Sequence, residues 1–116
     1  MKEKTYSLEL IQSISRGNTE LIKKLICVFV EQTPDSVNRM KAAYMNKDFT
    51  TFKTLAHKVK PTFGYFGIKE IERDLQLIEL LAGIGLTSEE LTLLMHKIEE
   101  TTHKVVEEMK TDFNLN

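Results

Sequence analysis

His57 lies in the run Ala56-His57-Lys58-Val59-Lys60-Pro61-Thr62-Phe63-Gly64. An imidazole can serve near neutral pH as a nucleophile, a general base or a metal ligand. Its neighbours decide which of these roles is open. Lys60 follows three residues later and is therefore its surface neighbour on a helix. The Lys60 ammonium can donate to an anionic oxygen, a phosphoryl oxygen included, and its charge works against a second positive charge on the ring. Lys53, one turn earlier, adds to the same field, and with Lys58 it completes a local basic patch. Pro61 and Gly64 come one and two turns after His57 and project little side chain. A bulky partner could lie flat on such a surface and reach the imidazole.

The rest of the chain reads as helices that must hold this histidine outward. Helical spacing of apolar residues recurs throughout, and no segment of four or more residues alternates cleanly at period two between turn signals. A short first helix is expected from Ser7, as N-cap, to Arg16-Gly17. A long second helix is expected from Asn18 or Thr19 to about Asn46, with Leu21, Leu25, Val28, Phe29, Val37, Met40 and Tyr44 at helical spacing and Pro34 kinking or breaking it. Asp48 caps a third helix running to about Phe66, with one stripe of Phe49, Phe52, Leu55, Ala56, Val59, Phe63 and Phe66. A fourth carries Ile71, Leu75, Ile78 and Leu81 and stops at Gly83-Ile84-Gly85. Thr87-Ser88-Glu89-Glu90 reads as a capping box that opens a last helix with Leu91, Leu94, Met95, Ile98, Val105 and Met109 on one face. Short connections between long amphipathic helices imply antiparallel neighbours. The expected architecture is all-α: an antiparallel up-down four-helix bundle with a short extra N-terminal helix, one domain over residues 1–116.

On a helical wheel the third-helix stripe points one way and His57 nearly the opposite way, alongside Thr50, Lys53, Lys60, Pro61 and Gly64. Proline at 61 has no N–H for the carbonyl of residue 57, which predicts a local kink at His57 itself. The wheel by itself describes an ordinary solvent-facing histidine as well as a reactive one.

Bulk properties narrow the field. With 116 residues, 41% hydrophobic and 28% charged, the chain has the makeup of one globular domain. A net charge of -1 provides no global basic field for nucleic acid. The longest apolar run, Leu25 to Val30, is far below the roughly 20 residues of a membrane span. Met1 to Tyr6 has no apolar stretch after its charges, which predicts no signal peptide. The single cysteine, Cys27, has no internal disulfide partner and reads as a small core residue. The expected location is cytoplasmic. No Gly-x-x-x-x-Gly-Lys-Ser/Thr and no kinase-like glycine-rich loop is present.

The segment Ala56 to Ile68 resembles the signature of histidine phosphotransfer (HPt) domains. That signature is Ala-His, then an apolar residue at +2, Lys at +3, usually Gly at +4, and Gly at +10. Val59, Lys60 and Gly67 fill the apolar, lysine and second glycine positions, and Pro61 stands where most members have glycine. The resemblance runs over nearly the whole chain: Tyr6-Ser7-Leu8 with Gly17, then Phe29-Val30-Glu31-Gln32-Thr33-Pro34, then Ile71, Leu75 and Glu79.

The resemblance implies that His57 is the phosphoacceptor, through its outward ring nitrogen, and that Lys60 stabilises the phosphoryl group. It implies a low-bulk platform at Pro61, Gly64 and Gly67. It further implies partners that are response-regulator receiver domains, with a hybrid sensor histidine kinase upstream. In the family the receiver supplies a phospho-aspartate and Mg²⁺. No cofactor and no metal is expected on this chain, which would be a phosphocarrier without autokinase activity, not an enzyme in its own right. A monomer is expected, because the signature face must stay accessible.

Two other readings compete. One is a helical interaction module that binds a signalling partner with no phosphorylation. The other is a metal-binding bundle using His96, Glu100 and His103, which share a face at i, i+4 and i+7. That face lies opposite Leu91, Ile98 and Val105, so it should point to water. Met40, Met95 and Met109 read as core, Tyr65 as exposed, and the run Leu77 to Leu81 as apolar around more than one face.

Overall fold

Each helix starts and stops where the backbone is given a reason to. In the computed structural model, which describes residues 4–84 and 88–115, the elements are α1 (Glu9–Ser15), α2 (Thr19–Met45), α3 (Phe49–Tyr65), α4 (Lys69–Ala82) and α5 (Glu89–Asp112). All regular structure among the described residues is helical. The side chains of Asn18, Asp48 and Ser88 accept the N–H groups of Leu21, Thr51 and Leu91. Each satisfies an amide that the first helical turn leaves without a partner.

The chain reverses at residues whose backbone is left-handed. Arg16 and Gly17 (φ 54° and 74°) end α1, and Lys47 (φ 59°) ends α2. Gly67 (φ 67°) ends α3, where Ile68 N–H closes on the Phe63 carbonyl at 2.9 Å. A side chain at 67 would also press on the Cβ of Ser7, since the N-terminal segment crosses there and Ser7 N–H donates to the Phe66 carbonyl at 2.8 Å.

Several expectations are corrected in detail. Leu8, not Ser7, is the N-cap of α1, and the Ser7 hydroxyl instead accepts the Glu9 N–H at 3.2 Å. Pro34 does not break α2, which continues through it. Thr33 and Val37 on either side are buried, so packing holds the segment helical despite the missing N–H. Pro61 lies inside α3, in keeping with the expected helix to about Phe66. The cap of α5 is Ser88; Thr87 of the expected capping box and Gly85 of the α4 stop lie outside the described residues.

The helices pack α3 on α4, α2 on α3, α2 on α5, α4 on α5 and α1 on α2. The longest dimension, 43 Å, is about the ~1.5 Å per residue rise of the 27-residue α2. The core follows the expected stripes of α3, α4 and α5 in the main, but the first half of α2 is turned from its expected face: Leu21 and Val28 are exposed, and Ile22 and Ile26 are buried in their place. Phe29 packs edge-on against Phe63 (5.8 Å) and Phe66 (5.1 Å). Phe52, Met40, Ile78, Ile98 and Met109 are fully buried nearby. Tyr44 packs on Phe52 and sends its hydroxyl to Thr92 Oγ1 (2.8 Å) and the Ser88 carbonyl (3.0 Å), tying the end of α2 to the start of α5.

The N-terminal segment is strapped to the other end of α5. Lys4 and Tyr6 both donate to Asp112 at 2.6 Å, and Thr5 donates from backbone and hydroxyl to Glu108. Met95 and Met109 are core as expected, Cys27 is only half-buried, and Leu80 is exposed while its neighbour Ile78 is buried. No helix among the described residues is long and apolar enough to cross a membrane.

Candidate functional site

α3 and α4 run antiparallel, and their register builds the site. Lys53 reaches toward Gly83, His57 meets Glu79, Lys60 meets Gln76 and Glu79, and Gly64 lies under Glu72. On both helices these positions are spaced four, three and four residues apart, so they form one continuous seam at the edge of the helix pair.

His57 heads this seam with its side chain 73% exposed. Its Nδ1 lies 2.7 Å from Glu79 Oε1. An ionised carboxylate only accepts, so Nδ1 carries the proton and donates. In the neutral ring Nε2 then holds the lone pair and faces solvent, with no hydrogen-bond partner among the described residues. The arrangement is a carboxylate-oriented imidazole, able to attack an electrophile through one defined nitrogen.

Glu79 is itself fixed. Its side chain is only 14% exposed, and Lys60 Nζ donates to Oε2 at 2.7 Å. Lys60 also donates to Gln76 Oε1 at 2.8 Å. Burial pulls the Glu79 carboxyl upward, but hydrogen bonds and charge from Lys60 and His57 outweigh it and hold the group below the ordinary carboxylate value. The carboxylate is therefore charged at neutral pH.

The three lysines do not form one patch. Lys60 turns into the α3/α4 seam and is mostly buried there, paired with Glu79. Its charge is balanced by that carboxylate, so it does not stand alone against the ring as expected. Lys53 is exposed on the α4 side, where a cation near the last turn of α4 suits that helix's dipole. Lys58 is exposed on the opposite flank, along a groove between α2 and α3 that Thr62 and Tyr65 also line. Pro61 is exposed beside His57.

Gly64 is not bare surface, because the Glu72 carboxylate lies where a Cβ would be. Its lack of a side chain leaves room for that carboxylate on α3. Gly67 serves the left-handed turn and the crossing of Ser7, away from the imidazole.

Glu79 and Gln76 are the residues that the reading of the third helix alone overlooked. A usable signal existed. His57 and Glu79 stand eleven residues before and after Ile68, so a tight antiparallel hairpin at Gly67-Ile68 places them opposite each other.

His96, Glu100 and His103 sit apart from this seam. His96 Nε2 and Glu100 Oε1 are 2.9 Å apart, but both side chains are about 70% exposed. Among the described residues no three His, Cys, Asp or Glu side chains converge as metal ligands would.

Comparison of the chain with protein-family models, with curated proteins and with solved structures finds no match.

Proposed function

We propose that this chain is a phosphocarrier of the histidine phosphotransfer kind, a single domain over residues 1–116. The finer architecture that goes with this reading is an up-down bundle of α2, α3, α4 and α5, with α1 as a cap at one end. His57 accepts a phosphoryl group on Nε2 from a receiver-domain aspartate and passes it to another response regulator. The observation that carries the reading is the His57–Glu79 pair at 2.7 Å beside Lys60: an exposed imidazole with one nitrogen engaged and the other free.

The transfer follows from that geometry. A phosphoryl transition state is loose and roughly in line, so it demands positioning and charge neutralisation more than covalent assistance. His57 supplies the nucleophile, and Glu79 orients it. Lys60 has one N–H beyond those given to Glu79 and Gln76, and in this reading that donor serves a phosphoryl oxygen. Mg²⁺ belongs to the receiver in this reading and neutralises charge there. Lys53 and Lys58 bracket the ring and attract an acidic receiver surface, so association should be salt-sensitive. Pro61, exposed one turn from His57, keeps bulk away from the approach. The domain acts in the cytoplasm as a monomer, beneath a hybrid sensor kinase, and has no autokinase activity of its own.

The test is transfer of label from an aspartate-phosphorylated receiver, in Mg²⁺, to the wild type and to His57→Gln. Acid-labile, base-stable label on the wild type alone supports the reading and fixes the site. No label from a broad set of receivers at low salt favours an interaction module that works without phosphorylation.

A further inference from the structure

A groove of about 690 Å³ runs between α2 and α5 and shares no residue with the His57 seam. Its α5 wall extends from His96 to Lys110, a span of ~21 Å at ~1.5 Å per residue. The floor carries only short side chains. Val37, Thr102 and Val106 are buried there, and Val30 and Pro34 are half-buried. The Thr102 hydroxyl is already given to the Ile98 carbonyl at 2.7 Å. Pro34 has no N–H for the carbonyl of Val30, four residues before it, and both residues line the floor. A backbone acceptor released from the α2 ladder therefore lies at the groove, and a half-buried acceptor favours a donor.

The rim is acidic. Glu99, Glu100 and Glu107 stand against the one ammonium of Lys110. Glu99 is matched by Lys41 at 3.2 Å, whereas Glu100 faces the imidazole of His96 at 2.9 Å and not a permanent cation. Glu107 is in no ion pair among the described residues. Glu100 and Glu107 are two turns apart on one edge of α5. We propose that this groove is a docking site for a basic amphipathic helix of a partner protein. Aliphatic side chains on one face of that helix enter between α2 and α5, as a helix packs into a groove. Lysines or arginines two turns apart meet Glu100 and Glu107, and the same side chains provide donors for the Val30 carbonyl. An acidic helix would bring carboxylate against carboxylate. An isologous pairing of two copies would set this rim against itself. The proposal goes beyond the phosphocarrier reading and does not depend on it. α5, which builds one wall of the groove, contributes nothing to the His57 seam, so the two surfaces serve different partners.

The probe is a synthetic amidated peptide of about 15 residues, long enough as a helix to span the groove. Leucines run along one face and lysines flank them; a matched peptide carries glutamate at every lysine position. Proton–nitrogen NMR of the full chain locates binding, and fluorescence anisotropy of the labelled peptide measures affinity. The expected result is that the lysine peptide shifts the amides of Val30, Asn38, His103 and Val106 and leaves those of His57 and Lys60 in place. Its affinity should fall about tenfold in the double variant Glu100→Lys/Glu107→Lys, where two exposed attractions become repulsions. Both positions are exposed, and circular dichroism checks that the variant keeps its helices. Equal affinity for the lysine and glutamate peptides would overturn the proposal, as would unchanged affinity in the variant. So would groove amides that stay in place at ~1 mM peptide, or shifts centred on exposed Leu10, Ile14 and Leu21. Groove amides that broaden with protein concentration, without peptide, would overturn it in favour of a second copy of this chain.

Discussion

His57 Nδ1 on α3 and Glu79 Oε1 on α4 lie 2.7 Å apart across the seam of an antiparallel helix pair. The ring belongs to one helix and its orientation to the other. Anything that shifts α4 along α3 therefore changes the direction of the imidazole without touching the histidine. Lys60, bonded to Glu79 and Gln76 on α4, resists that shift.

Lys60→Ala should weaken the protein and the site together. The Lys60–Glu79 pair is mostly buried, so its loss should cost about 1–2 kcal/mol, between the values for exposed and buried pairs. Urea unfolding measures this. Phosphotransfer from a phosphorylated receiver should fall by more than the change in folded fraction explains. Transfer at the wild-type rate would show that Lys60 serves the fold alone.

Gly64 and Gly67 should respond differently to alanine. A Cβ at Gly64 meets only the carboxylate end of Glu72, a flexible group that can swing to solvent. Gly64→Ala also gains helix propensity, so stability should change by less than about 1 kcal/mol. Gly67→Ala combines a φ of 67° with a close contact to Ser7 and should cost about 1–2 kcal/mol. Thermal melts of the two variants make the comparison.

Both pH limits have identified contributors. Glu79 is held below its ordinary value of 4.5, so its folded pKa is lower than its unfolded one. Its contribution is full above that value and is lost as pH falls through the folded pKa. Asp112 behaves the same way from 3.8, lowered chiefly by Lys4 and then by Tyr6. The Tyr6 hydroxyl is raised, first by burial and then by its bond to Asp112. Its contribution is full below 10.0 and is lost as pH rises through the higher folded value. Melting temperature against pH should therefore drop at both ends. Glu79→Gln should flatten the acid limb and Tyr6→Phe the alkaline one. Unchanged limbs in these variants would remove the assignment.

Pro61 sits inside an unbroken α3 and leaves the His57 carbonyl without its amide donor. Pro61→Ala restores that donor and should stabilise the protein by about 1–3 kcal/mol. Chemical denaturation reads the gain. If transfer by Pro61→Ala matches the wild type, the proline's place beside His57 requires only its small bulk.

Local signals account for what was legible in the residues alone. Five helices, the caps at Asn18 and Asp48, the stop at Gly67 and the buried stripe of Phe52, Ala56, Val59 and Phe63 all follow from neighbours within one or two turns. The outward setting of His57 follows from the same periodicity. Three features depend on register between helices, which periodicity does not contain. Lys60 turns away from solvent because Glu79 and Gln76 come opposite it. Gly64 is covered because Glu72 does. Pro34 stays helical because Thr33 and Val37 are buried on both sides of it, and that packing overrides the local preference to break. The sequence by itself determined which nitrogen-bearing side chain is presented. The packing of α4 on α3 decided which of its two nitrogens is free, because the group that claims the other one sits 22 residues away along the chain and only folding brings it within a hydrogen bond.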